Sequence, residues 1–535
     1  MAKFPKDIIF DQEVREKLLN GMNILAKAVG STLGPRSRNV AINNPHDTPE
    51  VYHDGVTVAR RVNLKDPFED MGAELLKAAA VKTNEVAGDG TTTATILAQA
   101  IINEAFKVIA AGTNPMLLKQ EIEQALIYVL EELSKIRKPI STPEEIIQVA
   151  SISSADPILG KLIGEAFNKV GKDGVITVED GKSFETTVEY KQGMELDRGY
   201  LSQYFKTNED TLEAVIEEPY ILLTDKRLNY GHELVPFLET FLKGGNKNLV
   251  IFAGEVVEEA LATLVINKLR GNINVCAIQA PAYGDRRQHE LEDLAILTGG
   301  TVLLEESGRE LKSVTIEELG RADKVIADID KSVIINGNGS KKAIDKRITE
   351  LKEQIRHANT DFDKLIKEER LAKLAGGVAV VNIGSVTETE LKEKRERVID
   401  AINATKAASE EGIVAGGEIT LLEISKKLQN SDQSWRAGGQ ILDLGSKILI
   451  EALKNPFKRL IDNSGMDYAE IREKMAGHTY PEGIDVIDGQ IKNLIEAGII
   501  DPAKVVRSAL QNAVSIACQV MTTSTLITDV VKEEK

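Results

Sequence analysis

The octapeptide Gly88-Asp89-Gly90-Thr91-Thr92-Thr93-Ala94-Thr95 decides how this chain is read. Ahead of it, Met71 to Ala87 is rich in Ala, Leu, Lys and Glu at helical spacing, and Ala94 to Ala111 behind it has the same character. A tight loop between two helices is therefore expected, without the strand that precedes a P-loop. Glycine lets backbone approach an anion closely, and the unpaired N–H groups of a helix start favour phosphate. The threonine hydroxyls add donors, and Asp89 offers a hard oxygen ligand for Mg²⁺. A nucleotide-triphosphate site is one reading. A helix start capped by Asp or Thr after a glycine turn is the other, and the octapeptide alone leaves both open.

At 535 residues the chain exceeds a single core, so three or four domains are expected. Its 42% apolar content suits a globular protein, and no run is expected to approach the length and apolarity of a membrane span. Met1 to Glu13 lacks the basic-then-apolar pattern of a signal peptide, which favours the cytoplasm, the bacterial cytosol in particular. Cys276 and Cys518 are too few for a zinc site and too far apart in sequence to suggest a structural disulfide. The six histidines show no metal-ligand spacing. A net charge of −17 argues against nonspecific nucleic-acid binding, which needs a basic face.

Residues 11–135 read mostly as helix, interrupted by a β-like hairpin around 39–58, and 400–517 reads as a second helical block. Between them, 174–327 alternates short β-rich runs with helices, as in Val175–Val178, Thr187–Tyr190, Tyr220–Thr224, Leu249–Phe252, Val275–Ile278 and Thr301–Leu304. That alternation points to an α/β layer domain. Lys341 to Lys373 reads as a charged helix hairpin broken at 359–361, its charges forming a solvated face. The nucleotide-like segments lie at 32–93 and 400–501, so a single site would make the middle of the chain an insertion.

Several segments outside the octapeptide carry a resemblance. They are Thr32-Leu33-Gly34-Pro35, His53-Asp54-Gly55-Val56-Thr57, Arg198-Gly199-Tyr200-Leu201-Ser202, Gly284-Asp285-Arg286-Arg287, Leu374-Ala375-Gly376-Gly377-Val378-Ala379-Val380, Glu410-Glu411-Gly412-Ile413-Val414-Ala415-Gly416-Gly417 and Gly498-Ile499-Ile500-Asp501-Pro502. Together and in this order they resemble the group I chaperonins of the GroEL type. The resemblance implies a multidomain α+β fold: a discontinuous, mainly helical equatorial domain (1–135 and 412–535), a small α/β intermediate domain (136–192 and 377–411) and an α/β apical domain (193–376). It places hinges at Gly193 with Gly376-Gly377, and at Pro139 with Gly412.

The family's phosphate and metal contacts fall on Thr32, Gly34, Asp89, Gly90, Thr91, Thr92 and Thr93, with Asp89 holding Mg²⁺, and Leu33, Pro35 and His53 are further cofactor-binding positions. Asp400 is then the residue that positions or deprotonates the attacking water, and Asp54 assists. Gly417, Asp485, Ile499 and Asp501 fall at the nucleoside. ATP and Mg²⁺ are the implied cofactors, with K⁺ a further candidate. Three departures stand out: His53 where relatives carry Lys or Asn, Glu418 where a third glycine is common, and Ile484-Asp485-Val486-Ile487 in place of an aromatic-Asn-Ala-Ala segment.

Val256 to Arg270 carries apolar residues over an arc of roughly 240°, more than one docked face requires. Composition alone favours a fully buried helix there; the resemblance implies an exposed surface instead. The family's positions for non-native polypeptide fall on Tyr200, Ser202, Tyr204, Phe205, Val235, Leu238, Leu261, Val265, Ile266 and Asn267. The implied partners are non-native polypeptides, a ring-shaped co-chaperonin of the GroES type, and further copies of the chain in two stacked heptameric rings. The implied activity is ATP hydrolysis coupled to encapsulated folding. A nucleotide-independent holdase or scaffold, or a metabolic ATPase or kinase, are the alternatives.

Overall fold

The computed structural model describes residues 6–43, 50–52, 54–140, 142–154, 156–171, 174–181, 183–208, 211–358, 360–430, 436–437, 440–441 and 444–529. The chain divides into two compact units, one of Met1–Gly164 with Glu396–Lys535 and one of Glu165–Arg395.

The first unit is built on the helices Asp11–Gly30, Pro67–Ala87, Thr91–Ala110, Pro115–Ile136 and Ala503–Met521. Their apolar faces meet in one core through Leu18, Met22, Leu25, Leu76, Leu97, Ile101, Leu510 and Val514. Start signals in the sequence set where the helices begin. Asp66 accepts from the N–H groups of Phe68 (2.9 Å) and Glu69 (3.2 Å), Pro67 follows it, and Lys17 Nζ ties the same carboxylate to the first helix at 2.5 Å. Asn114 caps Pro115–Ile136 in the same way. Lys6–Phe10 pairs antiparallel with Thr525–Asp529, so residues from both halves share a two-stranded sheet.

Two sequence expectations are corrected in this unit. The block 400–517 is not wholly helical: Ile413–Ala415 pairs with Ile500–Pro502, and Glu482–Asp485 pairs with Gln490–Asn493. These strands are too short for a period of two to register against their helical neighbours. The helix Thr91–Ala110 is also long and apolar enough to cross a membrane by length and composition, but 67% of that apolar window is buried inside the protein. Its hydrophobicity serves a core in which neighbouring helices cover it on nearly all sides.

The second unit centres on an eight-stranded mixed sheet. Tyr220–Thr224, Asn248–Ala253 and Asn274–Gln279 run parallel, and Gly320–Ala327, Ser332–Gly337 and Gly193–Leu196 continue it antiparallel. The parallel strands are almost continuously buried, as expected when helices cover both faces. A smaller sheet places Val378–Ile383 between Val175–Asp180 and Thr187–Lys191. The charged hairpin is present as Lys341–Arg356 and Asp361–Gly376. It is not merely a solvated face, because the buried Asp293 carboxylate binds Arg347 and Arg370, each through Nε at 2.7 Å. Gly193 carries no positive φ; a Cβ there would lie 2.3 Å from the Ile334 carbonyl oxygen, so packing accounts for it.

Asp11–Gly30 and Pro67–Ala87 cross at reciprocal glycines. A Cβ on Gly21 would sit 1.8 Å from the Glu69 carbonyl oxygen, and one on Gly72 would sit 2.4 Å from that of Leu18. Because the obstacle is backbone on both sides, Gly72→Ala must force the helices apart, at a cost of about 1–3 kcal/mol. A lower denaturant midpoint checks this, and an unchanged midpoint would show slack between the helices.

Candidate functional site

The residues of the octapeptide form the expected junction. Pro67–Ala87 ends at Gly88 (φ 70), whose N–H donates to the Asn84 carbonyl oxygen at 2.8 Å, and Thr91–Ala110 begins after Gly90 (φ 81). A Cβ at Gly88 would lie 2.3 Å from Asn403 Cβ, and one at Gly90 would lie 2.6 Å from Val505 Cγ1. The capped-helix reading is not what forms: no side chain caps Thr91–Ala110, and Asp89 Oδ1 accepts from the N–H of Gly90 at 2.5 Å. The leading N–H groups of that helix have no side-chain cap and make the kind of start at which an anion can bind.

The threonines line this start, with Thr91, Thr92 and Thr93 all nearly buried. Thr32 Oγ1 donates to the Val29 carbonyl oxygen at 2.8 Å and lies 3.2 Å from Thr92 Oγ1, which brings the Thr32-Leu33-Gly34-Pro35 segment to the junction. Gly34 has φ 88 and presses on Leu460, Leu33 packs on the neighbouring cluster around Phe457, and Pro35 is exposed. Asp54 caps Gly55–Arg61, accepting from Thr57 N (2.8 Å) and Thr57 Oγ1 (2.9 Å). A Cβ on Gly55 would meet Thr92 Oγ1 at 2.2 Å, so Asp54 is carried against the threonine helix. His53 lies outside the described residues.

The carboxylates converge on this place. Asp400, on Glu388–Glu411, is pushed well above the usual range by desolvation and then by Asp89, Asp54 and Glu396. Desolvation and the charge of Asp54 raise Asp89, and the hydrogen bond from Gly90 opposes them. By area Asp89 is exposed although protein crowds its flanks. Asp501 is pushed up to about 7 by desolvation and by Asp89. Among the described residues, no three His, Cys, Asp or Glu side chains are grouped to hold a metal by themselves. Asp89 with threonine hydroxyls is nevertheless a fitting hard-oxygen set for Mg²⁺, which typically binds one or two carboxylates together with substrate phosphates.

Towards the expected nucleoside end, Gly416 N donates to the Ile499 carbonyl oxygen at 2.9 Å, Val414 pairs with Asp501, and Gly417 has φ 64. The substituted segment 484–487 packs into the fold. Val486 and Ile484 are buried in the local core, and the Asp485 carboxylate is engaged by Lys492 Nζ and Ile487 N, each at 2.8 Å. Sequence reading missed the contact of Glu418, whose Oε1 accepts from Thr93 Oγ1 at 2.5 Å. Glu418 is pushed up to about 8 by desolvation, then by Asp501, with a smaller contribution from Asp89. The signal available was an acidic residue directly after two glycines.

In the second unit, the ten polypeptide-surface residues separate into two groups. Tyr204 (63% exposed), Val235 (40%) and Ile266 (46%) face outward, and Leu261, Val265, Ser202 and Asn267 are half-buried. Phe205 (0%), Leu238 (5%) and Tyr200 are core residues and offer no surface in this conformation. Tyr200 donates its hydroxyl to the Leu212 carbonyl oxygen, and Lys268 Nζ binds the carbonyl oxygen of Phe205, pinning that turn beneath Glu258–Leu269. Val256 to Arg270 is therefore not a fully buried helix: only Ala260 and Leu264 of Glu258–Leu269 are buried, and Leu269 is exposed.

Asp501 and Glu418 ordinarily titrate at 3.8 and 4.5, but do so near 7 and 8 in the fold. A carboxyl that keeps its proton longer in the folded state stabilises that state at low pH. This contribution is complete below the unfolded value and is lost as pH rises through the folded one. Stability of the nucleotide-free protein should therefore fall between about pH 4 and 8 on account of these groups, and Asp501→Asn and Glu418→Gln should each flatten the profile. Melting temperatures across that range check it; slopes identical to the parent's in both variants would contradict the coupling.

Comparison with known proteins bears on the whole chain. The chaperonin gp146 from the bacteriophage EL 2 (Pseudomonas aeruginosa), in presence of ATP-BeFx, matches with a TM-score of 0.74 at 21% identity, covering 98% of this chain and 99% of that one. A second crystal form of gp146 matches with a TM-score of 0.65 at 22% identity, covering 97% and 99%. The fold is thus the multidomain GroEL-like fold. Residues 25–237 and 238–531 match the family model for TCP-1/cpn60 chaperonins, and the chain belongs to the TCP-1/cpn60 chaperonin family.

Proposed function

We propose that this chaperonin is an ATP-dependent machine of the group I type, which captures non-native polypeptides and encloses them in a ring cavity for folding. The observation that carries the reading is the convergence of Asp54, Asp89, Asp400 and Asp501 on an uncapped helix start lined by three threonines. The presence of ATP-BeFx with gp146 supports it from a relative of the same fold. In this reading, the N–H groups at Thr91–Thr93 and the threonine hydroxyls hold the phosphates. Asp89 takes Mg²⁺, which supplies charge neutralisation and polarisation of the γ-phosphoryl group. Asp54 is fixed by its helix cap and supports the arrangement, while Asp400 orients the attacking water and accepts its proton. Part of what raises Asp400 is repulsion from Asp89 and Asp54, so positive charge at Asp89 relieves it and frees the Asp400 carboxylate to act. Asp501 takes the ribose, with Ile499 against the base.

The fine assignments follow the same reading. Residues 1–135 with 412–535 form an equatorial domain, 136–192 with 377–411 an intermediate domain and 193–376 an apical domain. Seven subunits form a ring, and two rings stack. ATP turns the apical domains upward, and a GroES-type lid closes a polar chamber. The site of action is the cytoplasm. Tyr204, Val235, Ile266, Leu261 and Val265 provide an apolar surface for any chain that exposes hydrophobic side chains, because burial is non-directional.

Asp400→Ala should retain ATP binding but slow turnover at least ~100-fold, as expected when water positioning is lost. Steady-state phosphate release checks this, and an unchanged rate would remove Asp400 from the mechanism. On the other unit, Tyr204→Glu or Val235→Glu places a charge where an apolar chain docks and should weaken capture of a denatured test protein by several kcal/mol. Basal ATPase activity and melting temperature should stay at the parent's values. Leu238→Glu, at a core position, should instead lower the melting temperature; capture at full strength by well-folded Tyr204→Glu would refute the surface.

A further inference from the structure

Glu418 is the residue of the site that phosphate chemistry does not require. It adopts φ 59, directly after Gly417 at φ 64, in the left-handed region that strains a side chain and suits glycine. From that backbone its carboxyl reaches Thr93, with Thr93 Oγ1 donating to Oε1 at 2.5 Å across 325 positions of sequence. Thr93 is nearly buried and belongs to the first turn of the uncapped helix. One of the three threonine hydroxyls available to a phosphate is therefore already committed. Besides desolvation, the charges of Asp501 and Asp89 both act on this carboxyl, so it lies within reach of both aspartates.

We propose that Glu418 sets nucleotide affinity by competing with the nucleotide for the Thr93 hydroxyl. The inference rests on the ATP reading above. A triphosphate entering the cradle must displace the Glu418 carboxyl from Thr93, and it approaches a position within reach of two further carboxylates. A glycine in place of Glu418 would leave the Thr93 hydroxyl unclaimed and relieve the left-handed strain.

Four assembled proteins test it by calorimetric titration with Mg²⁺–ATP: the unmodified chain, Glu418→Gly, Thr93→Val, and the double variant. Glu418→Gly should tighten binding about fivefold, the worth of one recovered hydrogen bond. The same substitution made in the Thr93→Val background should give no gain, because the hydroxyl in contention is absent. Relief of backbone strain would raise the melting temperature in both backgrounds, so only the affinity cycle separates competition from a structural effect. Equal or weaker ATP binding by Glu418→Gly, or an equal gain in the Thr93→Val background, would overturn the inference while leaving the ATP reading intact. Failure of all four proteins to bind ATP would overturn both.

Discussion

The close fit at Gly88 and Gly90 is the constraint on which the first unit of this chaperonin depends. Both glycines are left-handed, and both are pressed against side chains from residues beyond 400, Asn403 and Val505. The loop offers its helix start to a ligand only when the later part of the chain has come back to support it. Close approach of this kind tolerates no added methyl group, which makes the loop a point of rigid assembly as well as of binding. The division of the first unit between Met1–Gly164 and Glu396–Lys535 is the same constraint seen at the scale of the whole chain.

Set against that rigidity is a deliberate electrostatic conflict. Desolvation raises Asp89, Asp400, Asp501 and Glu418, and repulsion adds to it: Asp54 acts on Asp89 and Asp400, Asp89 on Asp400, Asp501 and Glu418, and Asp501 on Glu418. Where these carboxyls are ionised the arrangement costs stability, and groups shifted in this way cluster at functional sites. The mutual repulsion stores a preference for incoming positive charge. The surrounding core of Leu18, Leu76, Leu97 and Leu510 supplies the stability that the site itself forgoes.

Much of this was legible in the sequence, for identifiable reasons. The Gly88–Gly90 junction could be read because two glycines interrupt strong helical periodicity. Tyr220–Thr224 could be read because a buried parallel strand is a continuous apolar run. The hairpin of Glu482–Asp485 and Gln490–Asn493 escaped because its pattern is mixed and each strand is only 4 residues long. Side-chain orientation escaped more often still. An arc of apolar residues shows that a helix has two faces, but not that Leu238 and Phe205 turn inward while Val235 and Tyr204 turn outward. Contacts such as Glu418 with Thr93, or Asp293 with both Arg347 and Arg370, join residues with no sequence relation and belong to tertiary structure alone.

The pairing of Lys6–Phe10 with Thr525–Asp529 has a further meaning when the chain is considered during its synthesis. Domains generally fold as units while the chain emerges, and long-range closure is slow. The contiguous unit Glu165–Arg395 can fold as soon as its own residues are available. The other unit cannot, because Ala503–Met521 supplies one wall of its core and emerges only after the whole of Glu165–Arg395. Until it does, the apolar faces of Asp11–Gly30 and Thr91–Ala110 lack that partner. A protein whose family assists the folding of others thus presents, in its own nascent form, the same exposed hydrophobic surface that chaperones recognise.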